Sequence, residues 1–225
     1  MKKTYNMKAI VVGASGLTGG FLCKALCDDP TFESVKLLLR KSLGITHPKI
    51  TECLVDFSNE ESILSHMEGD VLFCASGTTI KKAGSKNAFL KVDYELPLRC
   101  AKIASGRNVK KLVIISSVGA NPNSGNFYLN TKGRLEQDLE KLPFSCIHFM
   151  QPSLLMGPRK ENRLGERMAM WIMPALSKLF FGPLTKYKPV HVRDLASAMI
   201  RASKINESGI RRWMWKEIKN GDAHS

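Results

Sequence analysis

The sequence predicts an α/β fold, a doubly wound parallel sheet flanked by helices, with a small C-terminal lobe. Three observations predict it. Short, almost continuously apolar runs alternate with stretches of helical periodicity, the pattern of strands buried on both faces. A glycine-rich turn joins the first run to the first helix. The alternation breaks once, after Pro152, and resumes at Lys188. At 225 residues the chain has the length of one domain, so 1–225 is read as a single unit with the lobe over about 153–187.

The elements follow in order. Residues 8–12 (KAIVV) form the first strand and 17–27 an amphipathic helix; 35–39, 51–55 and 71–74 are buried strands, with a short helix over 60–67. Residues 89–105 form a helix despite Pro97, 111–116 a fifth strand, 131–141 a helix and 144–149 a sixth strand. After Pro152 a basic loop with Arg159, Lys160, Arg163 and Arg167 leads into an apolar stretch with Trp171, Met173, Leu176, Phe180 and Phe181, interrupted at Pro174. Residues 188–192 then read as strand, Asp194 as the N-cap of a helix over LASAMIRAS, and 211–218 as a last strand.

The turn GASGLTGG sets Gly13, Gly16 and Gly19 at G-x-x-G-x-x-G spacing between strand and helix. Residues without Cβ permit a tight turn and close backbone approach, and a pyrophosphate then rests on the amides and positive dipole end of the helix. Gly13, Ser15, Gly16, Leu17, Thr18 and Gly19 are therefore candidate dinucleotide contacts, and the fold is of Rossmann type. An NAD site places an acid at the end of the second strand to hold the ribose. Here LLLRKS puts Arg40 and Lys41 there, suited to a 2′-phosphate or else a solvated strand end; the reading favours NADP (NADPH) over NAD. Asp56 and Phe57, in LVDF, are placed for the adenine, or Asp56 is an ordinary strand-end acid. Ala75, Ser76, Gly77 and Thr78 reach the carboxyl edge of the sheet after the fourth strand, where such sheets bind ligands.

The fifth strand ends in Ser116 and Ser117, and Tyr128 and Lys132 follow at a spacing that shares one helical face. A phenol ionises near pH ~10 and is a poor base at neutral pH, but a neighbouring ammonium favours its charged form. Tyr128 is read as proton donor or acceptor, Lys132 as the ammonium that tunes it and holds a ribose, and Ser117 as hydrogen-bond donor to the substrate oxygen. The expected substrate is a small-molecule carbonyl or alcohol.

These motifs resemble the atypical, extended-like branch of the short-chain dehydrogenase/reductase superfamily. GASGLTG is similar to its cofactor turn, VDF to its adenine contact, SSVGA with YLNTK to its Ser, Tyr and Lys site, QPSLLMGPR to the segment after its sixth strand and VHVRDLASAM to its following helix. FCASGTTIKKAGS, FLKVDYELP and SSVGANPNSGNFYLNTKGRLE resemble the subgroup of Tat-interacting tumour-suppressor oxidoreductases. The resemblance covers nearly the whole chain and implies a Rossmann fold, bound NADPH with Pro152 at its site, and reductase machinery. Two positions depart from it: Gln151 stands where many relatives carry Arg, and the relay Asn of extended members has no clear counterpart, Val92-Asp93 lying near its place.

The net charge of +14 divides into +6 over residues 1–150 and +8 over 151–225. It suits anionic partners, and the basic lobe is read as a substrate lid or as a peripheral membrane or protein contact. No helix-turn-helix, RNA-stacking or zinc motif accompanies it, so sequence-specific nucleic-acid binding and metal binding are not expected. The six cysteines form no C-x-x-C pair, and neither a signal-like apolar segment nor a run long enough to span a bilayer occurs. These features predict a cytoplasmic protein, a monomer or homodimer. Two functional alternatives stay open: an NADP(H)-sensing scaffold without turnover, and an epimerase or dehydratase that recycles its cofactor.

Overall fold

The computed structural model describes residues 6–158 and 182–220. Seven parallel strands form one sheet in the order β3-β2-β1-β4-β5-β6-β9: β1 Met7–Val12, β2 Phe32–Leu39, β3 Ile50–Leu54, β4 Val71–Cys74, β5 Lys111–Ile115, β6 Cys146–Met150 and β9 Gly209–Trp213. The order reverses between β1 and β4, creating a crevice beyond their carboxyl ends. A separate two-stranded sheet pairs β7 Leu155–Met156 with β8 Val190–His191. Among the described residues the α-helices are α1 Leu17–Asp28, α2 Glu60–Leu64, α3 Ile80–Ala83, α4 Lys86–Leu90, α5 Leu96–Gly106, α6 Phe127–Leu139, α7 Val192–Ser203 and α8 Trp215–Asn220.

Alternation along the buried strands divides the core into two layers. Ala9 and Val11 of β1 pack with Leu22 and Leu26 of α1 and Leu195 and Met199 of α7. Ile10 and Val12 face the other way, onto Ile63, Cys100, Ala104, Leu135 and Leu139. Both faces are thus covered, which is why the strands read as unbroken apolar runs.

Four sequence expectations are corrected. The helix expected over 89–105 is split, with a π-helical segment, Lys91–Glu95, between α4 and α5. Pro97 has no N–H to give to the carbonyl of Asp93, and its ring crowds that carbonyl, so the turn widens there. Residues 188–192 do not join the main sheet; only Val190 and His191 are strand, and they pair with β7. His191, not Asp194, caps α7, its Nδ1 accepting from the Arg193 amide at 3.2 Å; Asp194 lies in the first turn and pairs with Lys219 at 2.8 Å. The last strand ends at Trp213 and α8 follows, its start held by the Glu217 carboxylate accepting from the Met214 amide. The lobe residues Arg159, Lys160, Arg163, Arg167, Trp171, Met173, Pro174, Leu176, Phe180 and Phe181 lie outside the described residues.

β9 is joined to β6 by a buried side-chain chain as well as by its ladder. The Trp213 indole N–H donates to His148 Nδ1 at 3.0 Å, which leaves Nε2–H of the neutral ring to meet Cys146 Sγ at 3.0 Å. His148 is fully buried; burial, with the charges of Arg211 and Lys111, holds its pKa down at about 4. The unfolded chain therefore binds the extra proton between pH about 6.5 and about 4, and stability is lost as pH falls through that window. Urea unfolding at pH 7 and 4.5 should differ by about 2–3 kcal/mol from this group. His148→Asn, which cannot titrate and keeps an acceptor for the indole, should remove that portion of the difference.

Candidate active site

The glycine turn is built by close backbone approach. A Cβ on Gly13, whose φ is +90°, would lie 2.6 Å from the Ala75 carbonyl carbon and closer still to the Ser76 nitrogen; on Gly19 it would strike the Gly13 carbonyl. At Gly16 it would meet the Gly13 carbonyl at 3.2 Å. No side chain caps α1 at Gly16 and no acid occupies its first turn, so its positive end is left for an anionic ligand. Ser15 and Gly16 are exposed and Leu17 half-buried at the turn, while Thr18 and Gly19 are buried. Beside it, Ser76 Oγ is buried without a hydrogen-bond partner among the described residues, an unused polar group at the crevice. These features fit a dinucleotide pyrophosphate.

At the carboxyl ends of β2 and β3, a cleft is lined by Arg40, Leu54, Val55, Asp56, Phe57 and Ser58. Arg40 and Lys41 are exposed and pair with no acid among the described residues. Asp56 Oδ1 accepts from the Ser58 amide and hydroxyl at 2.8 and 2.6 Å. Those bonds, with the Arg99 charge, hold its carboxyl below the usual range; one oxygen is thus committed to the turn. Arg99 also donates to the Phe57 carbonyl at 2.6 Å, fixing the cleft wall.

Ser117 is buried just beyond β5, its Oγ donating to the Val118 carbonyl at 3.3 Å, and Val118 N bonds the carbonyl of buried Pro152 at 3.1 Å. α6 starts four residues earlier than expected, because Asn126 caps it, accepting from the Tyr128 and Leu129 amides at 3.0 and 3.1 Å. Tyr128 therefore lies in the first turn, half-buried, with its ring 5.6 Å from that of Phe89. Gly133, which admits no Cβ against the backbone of Asn121 and Pro122, seats the helix under the preceding loop.

Lys132 is not free to face Tyr128 as a lone cation. Its Nζ lies 2.8 Å from Asp93 Oδ1, and the side chains are 3% and 1% exposed. Nζ also reaches the Ile115 carbonyl at 3.5 Å. Asp93 Oδ2 accepts from the Thr78 amide at 2.8 Å, and Gly77 leaves room beside the same carboxylate. The structure thus ties the loop of Ala75, Ser76, Gly77 and Thr78 through Asp93 to α6 and the end of β5. Asp93 was not among the expected site residues; an acid in a proline-disturbed helix, four residues ahead of Pro97, was its signal.

Gln151 has a partner that sequence reasoning missed. Its Nε2 donates to both oxygens of buried Glu136 at 2.9 and 3.1 Å, and Ser116 Oγ donates to the same carboxylate. The cation comes from β9, where Arg212 Nε meets Glu136 Oε2 at 3.1 Å and its other nitrogen pairs with Glu140.

Against known proteins, the family model HIM1 matches residues 49–170. The chain belongs to the HIM1 family. Protein HTATIP2 of Rattus norvegicus is 33% identical, over 81% of this chain and 73% of its own length. Two FMP52 proteins named mitochondrial are similar: that of Candida albicans at 34% identity, over 74% of this chain and 75% of its own, and that of Saccharomyces cerevisiae at 32%, over 70% and 69%. The resemblance to atypical short-chain dehydrogenase/reductases is borne out, and the cytoplasmic expectation is overturned by these mitochondrial relatives. The fold is shared with WbmH of Bordetella bronchiseptica in complex with NAD+ (TM-score 0.68, 16% identity, 93% of this chain and 76% of that one). It is also shared with UDP-glucose 4-epimerase of Thermus thermophilus in complex with NAD (TM-score 0.68, 17%, 92% and 78%).

That Arg212 of β9 supplies the cation to Glu136 beside Gln151 is testable. Arg212→Gln should destabilise the protein by about 2 kcal/mol, as for a lost charge-assisted bond, and Gln151→Arg added to it should recover most of the loss. A double variant no more stable than Arg212→Gln in urea unfolding would show that the two positions do not share Glu136.

Proposed function

We propose that the protein is an NADP(H)-dependent oxidoreductase interconverting a carbonyl and a hydroxyl group of a small molecule. The observation that carries this reading is the linkage, through the buried Lys132–Asp93 pair and its bond to Thr78, between the carboxyl-edge loop next to the glycine turn and the helix that bears Tyr128. The NAD named with the WbmH and epimerase structures supports a nicotinamide cofactor, and the exposed Arg40 and Lys41 favour the phosphorylated form. The mitochondrial names of the FMP52 relatives support a mitochondrial setting.

In this reading the α1 amides and Ser76 hold the pyrophosphate, Arg40 and Lys41 the 2′-phosphate, and the cleft of Asp56 and Phe57 the adenine. Bound there, the nicotinamide supplies or takes up the hydride. The chain's own work is proton transfer and orientation. Ser117 donates a hydrogen bond to the substrate oxygen and so stabilises the negative charge that develops on it. Tyr128 O–H gives its proton to that oxygen during reduction and takes it back during oxidation. The small residues of the 75–78 loop let the ligand lie close to the backbone.

Titration by quenching of intrinsic fluorescence should show NADPH binding tighter than NADH, by about 10-fold or more for a lost charge-assisted contact, with Arg40→Glu reversing the order. Equal affinities would remove the phosphate assignment. On whichever carbonyl of a test panel supports NADPH oxidation, Tyr128→Phe should lower the rate at least 100-fold while leaving NADPH affinity within about 2-fold. An unchanged rate would remove Tyr128 from the chemistry.

A further inference from the structure

Arg40 and Lys41 sit on a short span of chain that is fastened at both ends. On one side Leu39, the last residue of β2, accepts at its carbonyl from the Val55 amide at 2.9 Å. On the other, residues 42–45 gather around a single carboxylate, that of Glu52 in β3. Ser42 Oγ donates to Oε2 at 2.5 Å, the Ile45 amide to Oε1 at 2.9 Å, and the Leu43 amide is shared between the two oxygens at 3.2 and 3.3 Å. Gly44, at φ +67°, turns the chain back on itself, and its amide donates to Ser42 Oγ at 3.1 Å. Apolar packing does little for this loop, since Leu43 and Ile45 are 40% and 37% exposed. Glu52 is therefore the group that fixes the chain just past the two cations.

The same bonds occupy an acid that could have neutralised those cations. Glu52 stands on the strand next to β2, and the Ser42 hydroxyl with the Ile45 and Leu43 amides holds its carboxyl below the usual range. It is charged at neutral pH, yet neutral donors take up its oxygens, and neither Arg40 nor Lys41 pairs with it. Asp56 is engaged in the same way by Ser58. Both carboxylates at this edge are thus committed to their own turns, while Arg40 lines the cleft and Lys41 is exposed beside it.

We propose that Glu52 is a positioning residue for cofactor choice: by pinning the loop that follows Arg40 and Lys41, and by directing its charge to that loop, it holds both cations ready for the 2′-phosphate of a nicotinamide dinucleotide. This role rests on the NADP(H) reading. It has a sign that separates anchoring from charge. A carboxylate acting only as a charge repels a nearby phosphate, and its removal would tighten NADPH. Removal of an anchor does the reverse, because a freed span must be ordered again when the phosphate binds. NADH carries no phosphate at that place and should respond little to either.

The test is titration of the protein with NADPH and with NADH at pH 7, read by quenching of intrinsic fluorescence, with far-UV circular dichroism as the check on folding. Glu52→Ala should weaken NADPH about 10-fold while leaving NADH within about 2-fold. Glu52→Gln, whose amide oxygen still accepts from the loop, should keep the NADPH to NADH ratio within about 2-fold of the unaltered chain. A folded Glu52→Ala protein with an unmoved ratio, or with tighter NADPH, overturns the proposal and leaves the phosphate assignment standing. Should Glu52→Ala fail to fold, Ser42→Ala decides: losing the hydroxyl that joins Glu52 to the Gly44 amide should lower the ratio about 3-fold or more, and an unmoved ratio overturns the proposal. Equal affinities for NADPH and NADH in the unaltered chain overturn the phosphate assignment and the role of Glu52 together.

Discussion

The architecture depends on one steric constraint: the end of β1 must come within bonding range of the backbone after β4. Gly13 lies against Ala75 and Ser76 with no space for a Cβ, and Gly19 lies as tightly against Gly13. Those two approaches bring α1 down over the crevice where the strand order reverses, with its uncapped end at the mouth. They also set the 75–78 loop on a path where the Ser76 hydroxyl finds no partner among the described residues. Gly13 and Gly16 leave the turn with backbone polarity and little side chain, the surface that a pyrophosphate needs.

Opposite that turn, the site is assembled by electrostatics. A buried ammonium without a partner is strongly destabilising, and a buried pair is tolerated when its remaining bonds are met. Lys132 and Asp93 meet this condition through Ile115 and Thr78. Tyr94, next in the widened turn, donates to Asp138 of α6 at 2.5 Å. The π-helical segment is thereby tied to α6 on two successive residues, one bond inside the core and one near the surface. A similar division holds at Glu136, whose carboxylate gathers a hydroxyl, an amide and a guanidinium from three strand ends.

Much of the sheet was legible because its signals are local. VLFC is buried on both faces and could be read as a strand without knowing its neighbours; the glycine spacing told of the turn because only glycine fits there. Boundaries set by side-chain capping were harder. Asn126 and His191 cap helices through their own side chains, and neither stood out from the polar residues around it, whereas Asp194, a good capping type, was drawn instead to Lys219. The electrostatic partners were not legible at all. Nothing in the spacing joins Asp93 to Lys132, or Arg212 to Glu136, since both links depend on which strands lie side by side. Gln151 read alone looked like a lost cation; the fold supplies that charge from another strand.

The small parallel pair β7 and β8 has a consequence for how such a protein can change. Leu155 pairs with Val190 and Met156 with His191, and around them Val190 N bonds the Leu154 carbonyl at 2.9 Å and Ser153 Oγ the Lys188 carbonyl at 2.5 Å. The chain thus leaves the main sheet after β6 and returns towards it through two adjacent, hydrogen-bonded strands, like a thread passing out and back through one eyelet. Whatever length lies between them, its two ends are already held together by the frame. Doubling a loop closed in this way adds only about 0.6 kcal/mol of entropy. The segment between β7 and β8 can therefore be lengthened, shortened or exchanged while the strand ends at Ser117 and the glycine turn stay where they are.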